Sequence, residues 1–476
     1  MTLKNKLYIY SFCFVLLFLS SCKTTEKIEN KIVKIPQLYH FEKDTLNSGI
    51  LNYRDYFKDQ KLIHLIEIGL QNNFDLLEAS QNIAIAKNRF KIQESKLFPM
   101  IGAQMTSSQS RISNYTAEGA GNKNTEIETN QYIPNPLSNY GMGLYANWEI
   151  DLWGKLKNGK KAAYSRYFAQ NEFKKWITSS IVAKISTQYY ELLALENELK
   201  VIEETLRLEE EALFILQLQK ESGKANALAV KQFEAEISNS ISKKINVLQR
   251  RIETENDLNI ILGRFKEPIG ITNASFLDET ITKVNIGTPK DLLVNRPDIK
   301  QAEYELLASK CDVIAAQKAF LPSLNIGGQM GFQAYKSSLI FSTPESWIYQ
   351  FVGSLTTPLW NKSAIKNHFN IVRLEQINAY LNYQKKIIVA FQEVDSEANQ
   401  LVNLDQLFQN KKKEVNLLNE SILISNELFK SGKANYMEVL MAQRSAFTAK
   451  IELIETKKRQ FQSKVFLYKI LGGGWQ

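Results

Sequence analysis

The sequence predicts an α+β fold in which one unit, a helix, a β-hairpin and a long helical hairpin in that order, occurs twice. Three observations predict it: self-similarity along the chain, long runs free of glycine and proline, and two intervals where the apolar period drops to two.

The self-similarity is ordered. Residues 70–99, LQNNFDLLEASQNIAIAKNRFKIQESKLFP, align with 293–322, LVNRPDIKQAEYELLASKCDVIAAQKAFLP, at a constant offset of 223, pairing Leu70 with Leu293, Asp75 with Asp298, Ala79 with Ala302 and Pro99 with Pro322. SGKAN at 222–226 recurs at 431–435 and Leu262-Gly263 recurs as Leu471-Gly472, both at an offset of 209, while Trp153 and Trp360 stand 207 apart. The falling offset puts about sixteen extra residues into the first copy between Pro99 and Trp153. A chain of 476 residues, about three times the ~150 of one domain, is therefore a doubled architecture. Its expected divisions are a leader at 1–21, an N-terminal segment at 22–58, a first unit at 59–286 and a second at 287–476, with β-hairpins at about 99–153 and 322–360.

Helix is predicted where the breakers vanish. Lys160 to Ser222 is a run of 63 residues without Gly or Pro, Leu359 to Ser431 is one of 73, and each SGKAN glycine is followed by another of 39. At ~1.5 Å per residue the long runs make helices of roughly 95 to 110 Å. Ile181, Ile185, Gln188, Leu192, Leu195, Leu199, Ile202, Leu206, Glu209, Leu213 and Leu216 alternate steps of four and three, the seam of a coiled coil. The expected partner seam is Phe233, Ile237, Ile241, Ile245, Leu248 and Ile252. Short glycine-bearing connectors, Ser222-Gly223-Lys224 and Ser431-Gly432-Lys433, should return each helix antiparallel.

Between the prolines and tryptophans the pattern alternates. Tyr140, Met142, Leu144, Ala146, Trp148 and Ile150 share one face, with Gly141, Gly143, Asn147 and Glu149 on the other. Leu324, Ile326, Met330 and Phe332 alternate with Asn325, Gly327, Gln329 and Gly331, and Trp347, Tyr349, Phe351 and Leu355 with mostly small or polar residues. A weaker strand is expected from Ile101 to Ser113, and the polar stretch Ser113 to Asn139 as a long external loop. Such strands suit a membrane barrel with one face to lipid and one to a lumen, or a soluble half-buried sheet. Four strands leave two edges that cannot face lipid, so the membrane reading requires oligomerisation.

The N-terminus has the order of an export signal: Lys4 and Lys6, an apolar run from Leu7 to Leu19, then Ser20, Ser21 and Cys22. Thirteen residues are too few for a spanning helix. Leu19-Ser20-Ser21-Cys22 resembles a lipobox, which would make Cys22 the lipidated first residue of the mature chain; an ordinary signal cleaved nearby is the other reading. Cys311 is left without a partner and reads as a packed helical residue. Loss of residues 1–21 lowers the formal charge from +9 to +7, and the basic residues are interspersed with Glu, so no nucleic-acid footprint is expected.

At this point the residues resemble a family. NRPDIKQAEYELLASKCDVIAAQKAFLPSLNIGGQMG at 295–331, WEIDLWGK at 148–155, FKSGKANYMEVLMAQRSAF at 429–447 and LYKILGGGW at 467–475 are similar to TolC-type outer-membrane factors, best to the NodT-like lipoprotein branch serving resistance-nodulation-division pumps. The resemblance implies a homotrimer whose protomers each give four strands to a twelve-stranded barrel in outer-membrane lipid, continued by a periplasmic α-helical barrel. It also implies partners, an inner-membrane efflux pump and a periplasmic adaptor, and passage of small molecules to the exterior. In members of the family a string like VDVLDA carries two acids that form a constriction at the closed periplasmic end. Here the string is Met437-Glu438-Val439-Leu440-Met441-Ala442: Glu438 matches the first acid, and Met441 departs at the second. Glu438, Met441 and, more remotely, Arg444 are the implied gate; the bland reading of Glu438 is an acid that meets a helix dipole. Ser222, Gly223, Lys224, Ser431, Gly432 and Lys433 resemble the tips that dock an adaptor, and the same glycines serve as helix caps in either case.

No catalytic constellation, cofactor site or metal site is expected. His40, His64 and His368 are scattered, and HExxH, CxxC, GxSxG and a phosphate loop after a strand are all missing. Glu149 and Asp151, on one strand face, read as pore-lining. Two other classes use related parts: a type I secretion duct for polypeptides, and a periplasmic coiled-coil scaffold lipoprotein.

Overall fold

The computed structural model describes residues 36, 39, 48–271, 276–280, 284–360 and 362–475. The chain divides into two units, Met1–Ile35 and Pro36–Gln476. The leader and Cys22 lie outside the described residues, and all the described helices and strands belong to the second unit.

The first copy comprises α1 (Gln60–Asn72), α2 (Phe74–Ser95), β1 (Met100–Ser110), β2 (Leu137–Ile150), α3 (Lys155–Glu221) and α4 (Ala227–Ile261). The second comprises α5 (Pro297–Lys318), β3 (Ser323–Ala334), β4 (Trp347–Thr356), α6 (Ser363–Lys430) and α7 (Tyr436–Ile470). With 67 and 68 residues, α3 and α6 are each about 100 Å long at ~1.5 Å per residue. α3 begins upstream of Gly159 because Asp151 caps it: the Asp151 carboxylate accepts the N–H groups of Leu156 at 3.1 Å and Lys157 at 2.8 Å. That corrects the placing of Asp151 on a strand face, since it lies beyond the end of β2.

α3 is the spine. It packs on α4, α5, α2 and α7, while α6 packs on α7 and α5. The α3 seam is as expected: Ile181, Ile185, Leu192, Leu195, Leu199, Ile202 and Leu216 are buried, and so is Glu209. The α4 seam holds at Phe233 and is corrected beyond it. Its buried face is Ala229, Val230, Phe233, Glu236, Ser240, Val247 and Leu258, while Ile241, Ile245, Leu248 and Ile252 are exposed on the protomer. This face meets Leu216, Leu199 and Glu209 of α3 and, through Glu236, Arg444 of α7, and the isoleucine-leucine stripe is left free for other contacts.

The duplication is physical as well as textual. Asn73 and Arg296, 223 apart, each open a helix, and each reaches the last turn of its own copy's return helix: Asn73 Nδ2 donates to Ile261 O at 2.7 Å and Arg296 Nη1 to Ile470 O at 3.3 Å. Gly263 and Gly472 lie beside these joints. A Cβ there would stand 2.3 Å from Asn72 O and 2.5 Å from Asn295 O, closer than any side chain tolerates. Arg296 is fully buried and held by Asp298, Glu393 and the ring of Trp176.

The four long strands form one antiparallel sheet in the order β1-β2-β3-β4. Register aligns Met105 with Met142, Met142 with Phe332 and Phe332 with Trp347; Leu144 pairs with Met330 and Met330 with Tyr349. One face is therefore continuously apolar. On the other, Tyr145 pairs with Gln329 and Gln329 with Gln350, and Glu149 with Asn325 and Asn325 with Ser354. β1 and β4 have only one partner each. The extra residues of the first copy build a short helix, Ala117–Asn124, and a two-stranded ribbon, Glu126–Glu128 with Gln131–Tyr132. Among the described residues, no helix is long and apolar enough to cross a membrane.

Candidate functional site: the helical tips and the polar sheet face

Each tip is written by five residues. At the first, the Ser222 N–H bonds Leu218 O, Gly223 sits at φ +74°, and the N–H groups of Lys224 and Ala225 turn back to Gln219 O at 2.8 and 3.2 Å. At the second, the Ser431 N–H bonds Glu427 O, Gly432 sits at φ +70°, and Lys433 and Ala434 turn back to Leu428 O at 2.8 and 3.2 Å. A Cβ at either glycine would meet nothing within 4 Å, so the left-handed backbone, and not crowding, demands glycine. The asparagine then starts the return helix: Asn226 Oδ1 accepts from Ala229 N at 2.9 Å, and Asn435 Oδ1 from Met437 N at 2.9 Å and Glu438 N at 3.1 Å. SG ends one helix and N begins the next.

Glu438 lies in the first turn of α7, where the positive end of the helix dipole favours it. It is exposed, and Met441, one turn on, is 62% exposed on the same side. Val439, Leu440, Gln443 and Ala446 form the buried side. Arg444 is not brought to Glu438. Its Nε donates to Glu236 Oε2 on α4 at 2.9 Å, with a second bond from Nη2 to the same oxygen. Hydrogen bonding to Glu236 holds the Arg444 guanidinium above its ordinary pKa.

Sequence reasoning missed the acids beneath this contact. Glu236 and Glu209 are buried, and Ser240 Oγ donates to Glu209 Oε1 at 3.1 Å. Burial pushes the Glu209 carboxyl above the usual glutamate range, opposed by the Ser240 bond. One signal was legible: Glu209 occupies a coiled-coil seam position among leucines. Glu236 has no such signal, because the expected α4 seam did not contain it.

At the sheet, the polar face borders a recess lined by Gln104, Tyr145, Asn147, Glu149, Asn325, Gln329 and Gln350, so the amide-rich side is the concave one. Gln329 Nε2 donates to Gln350 Oε1 at 3.0 Å and Gln333 Nε2 to Asn139 Oδ1 at 2.9 Å, while Lys155 pairs with Glu149. Strands and helices join through indoles: Trp148 Nε1 donates to Leu97 O at 3.1 Å and Trp153 Nε1 to Pro322 O at 2.7 Å.

Comparison with known proteins places this arrangement. The family model described as outer membrane efflux protein matches residues 65–264 and 288–473. The chain is 25% identical over 480 residues to the probable outer membrane lipoprotein SilC of Salmonella typhimurium, covering 99% of each chain. It is 26% identical over 471 residues to the cation efflux system protein CusC of Escherichia coli O6:H1, covering 98% of each. Among solved structures, the open-state MtrE outer membrane channel of Neisseria gonorrhoeae superposes with a TM-score of 0.82 at 23% identity, over 96% of this chain and 99% of that one.

Proposed function

This chain belongs to the outer membrane efflux protein family, and on that premise we propose that three copies assemble into the exit duct of a tripartite efflux system. It is an outer-membrane efflux channel with a helical barrel on the periplasmic side. The observation that carries the trimer is the sheet: four strands, apolar on one face and amide-rich on the concave other, with β1 and β4 unpaired at its edges. Joining β4 of one copy to β1 of the next through three copies removes every edge, which a lipid environment requires.

In this reading Cys22 carries the lipid anchor, and the SGKAN tips meet a periplasmic adaptor that connects an inner-membrane pump. The duct conducts and does not catalyse. Glu438 from three protomers forms an acidic ring at the tip with Met441 as its apolar rim, and the Arg444–Glu236 pair braces α7 against α4. Planar-bilayer recording tests this: discrete channels are expected, larger or more often open in Glu438→Ala, and silence in both wild type and variant refutes the duct. Labelled palmitate that still incorporates into Cys22→Ala refutes the anchor.

A further inference from the structure

All four strand-to-helix junctions carry lysine. Lys96 precedes β1, Lys155 and Lys157 follow β2, Lys318 precedes β3, and Lys362 and Lys366 follow β4. The duplication preserves part of the pattern: Trp153 and Lys155 recur, 207 residues on, as Trp360 and Lys362. Lys155 is engaged by Glu149. The others differ. Lys96, Lys157, Lys362 and Lys366 are exposed and Lys318 is half-buried, and none of the five is ion-paired among the described residues. The acids nearby are already occupied: Asp151 caps α3, and Glu94 pairs with Lys160. At the opposite strand ends the charges are mixed, with Arg111, Lys336 and Glu345, and Lys336 is bonded to Gln131.

These lysines directly follow the apolar face of the sheet. Leu152 and Leu359, which continue its alternation, are 51% and 84% exposed, and Trp360 is 93% exposed. Apolar and aromatic side chains at a strand end mark the bilayer boundary, and a lysine beyond them extends its stem along the apolar zone and its ammonium into the headgroups. We propose that this collar is a binding surface for anionic phospholipid, with phosphatidylglycerol-type headgroups of the periplasmic leaflet held by the unpaired lysines. The proposal rests on the barrel spanning the outer membrane.

Native mass spectrometry of the full-length assembly, released from nanodiscs containing equal phosphatidylglycerol and phosphatidylcholine, tests it. Wild type should retain about five-fold more phosphatidylglycerol, the preference that one lysine near a headgroup produces. Lys96→Gln/Lys157→Gln/Lys362→Gln/Lys366→Gln should lose that preference, whereas Arg111→Gln, at the other strand ends, should keep it. If the quadruple variant does not assemble, Lys157→Gln/Lys362→Gln should show a partial loss. Equal retention of both lipids by wild type, or equal loss in Arg111→Gln, overturns the proposal. So does unchanged lipid retention with a shifted reversal potential, which would place the lysines in the lumen. Failure to enter any nanodisc refutes the membrane reading itself.

Discussion

The two tips share five residues and one backbone course, yet they present opposite side chains at the same place. Three residues after the capping asparagine, the first return helix has Ala229, which is fully buried, and the second has Glu438, which is exposed. Ala229 sits in a small core with Leu216, Val230, Phe233 and Leu440, so the second copy contributes to enclosing the first. Six residues further on, Ala235 corresponds to Arg444, one of the residues that tie the copies together. The turn is thus a local module, and what it displays is set by which side of the return helix a neighbour covers.

Transplanting the acid is the strongest way to break this comparison. Ala229→Glu places an uncompensated carboxylate in a closed core and should destabilise the first tip by about 3–5 kcal/mol, read as faster amide hydrogen exchange through α4's first turns. Exchange as slow as in wild type would mean the two tips are equivalent after all.

The glycines should behave alike. Gly223→Ala and Gly432→Ala each force a Cβ into the left-handed region at about 1–2 kcal/mol, and local exchange should accelerate similarly at both tips. A marked asymmetry would show that one turn relaxes to another conformation.

A smaller effect distinguishes the seams, where Glu209 in the first hairpin corresponds to Leu418 in the second. The folded pKa of Glu209 is raised, so the folded state binds its proton more tightly than the unfolded state does. Stability from this group is greatest below the ordinary glutamate pKa and falls as pH rises toward and through the raised value. Glu209→Gln should therefore stabilise α3–α4 at neutral pH, with the gain shrinking on acidification. Thermal dissociation measured against pH checks it; a gain that grows in acid contradicts the burial argument.

Least costly of all should be Glu438→Ala. It forfeits a favourable helix-terminal charge of about 0.3–1 kcal/mol, so thermal stability should barely move while conductance rises. A large loss of stability would assign Glu438 to packing instead of to the passage.

Much of this was legible because it is local. The doubling, the helix lengths, the SGKAN turns and the period-two strands come from glycine, proline and apolar spacing, which act over a few residues at a time. Tertiary structure decided what the pattern of one chain leaves degenerate. In α4 two stripes share Phe233, and the tertiary contacts continued the buried one through Val230, Glu236, Ser240 and Val247 and not through Ile241, Ile245 and Leu248. Arg444 was legible as a charge near the tip, but its turn toward Glu236 depends on two helices from different copies meeting side by side. The sheet's two faces could be read residue by residue, whereas the join between β2 and β3, which makes two hairpins one wall, exists only because the long helices bring the copies together.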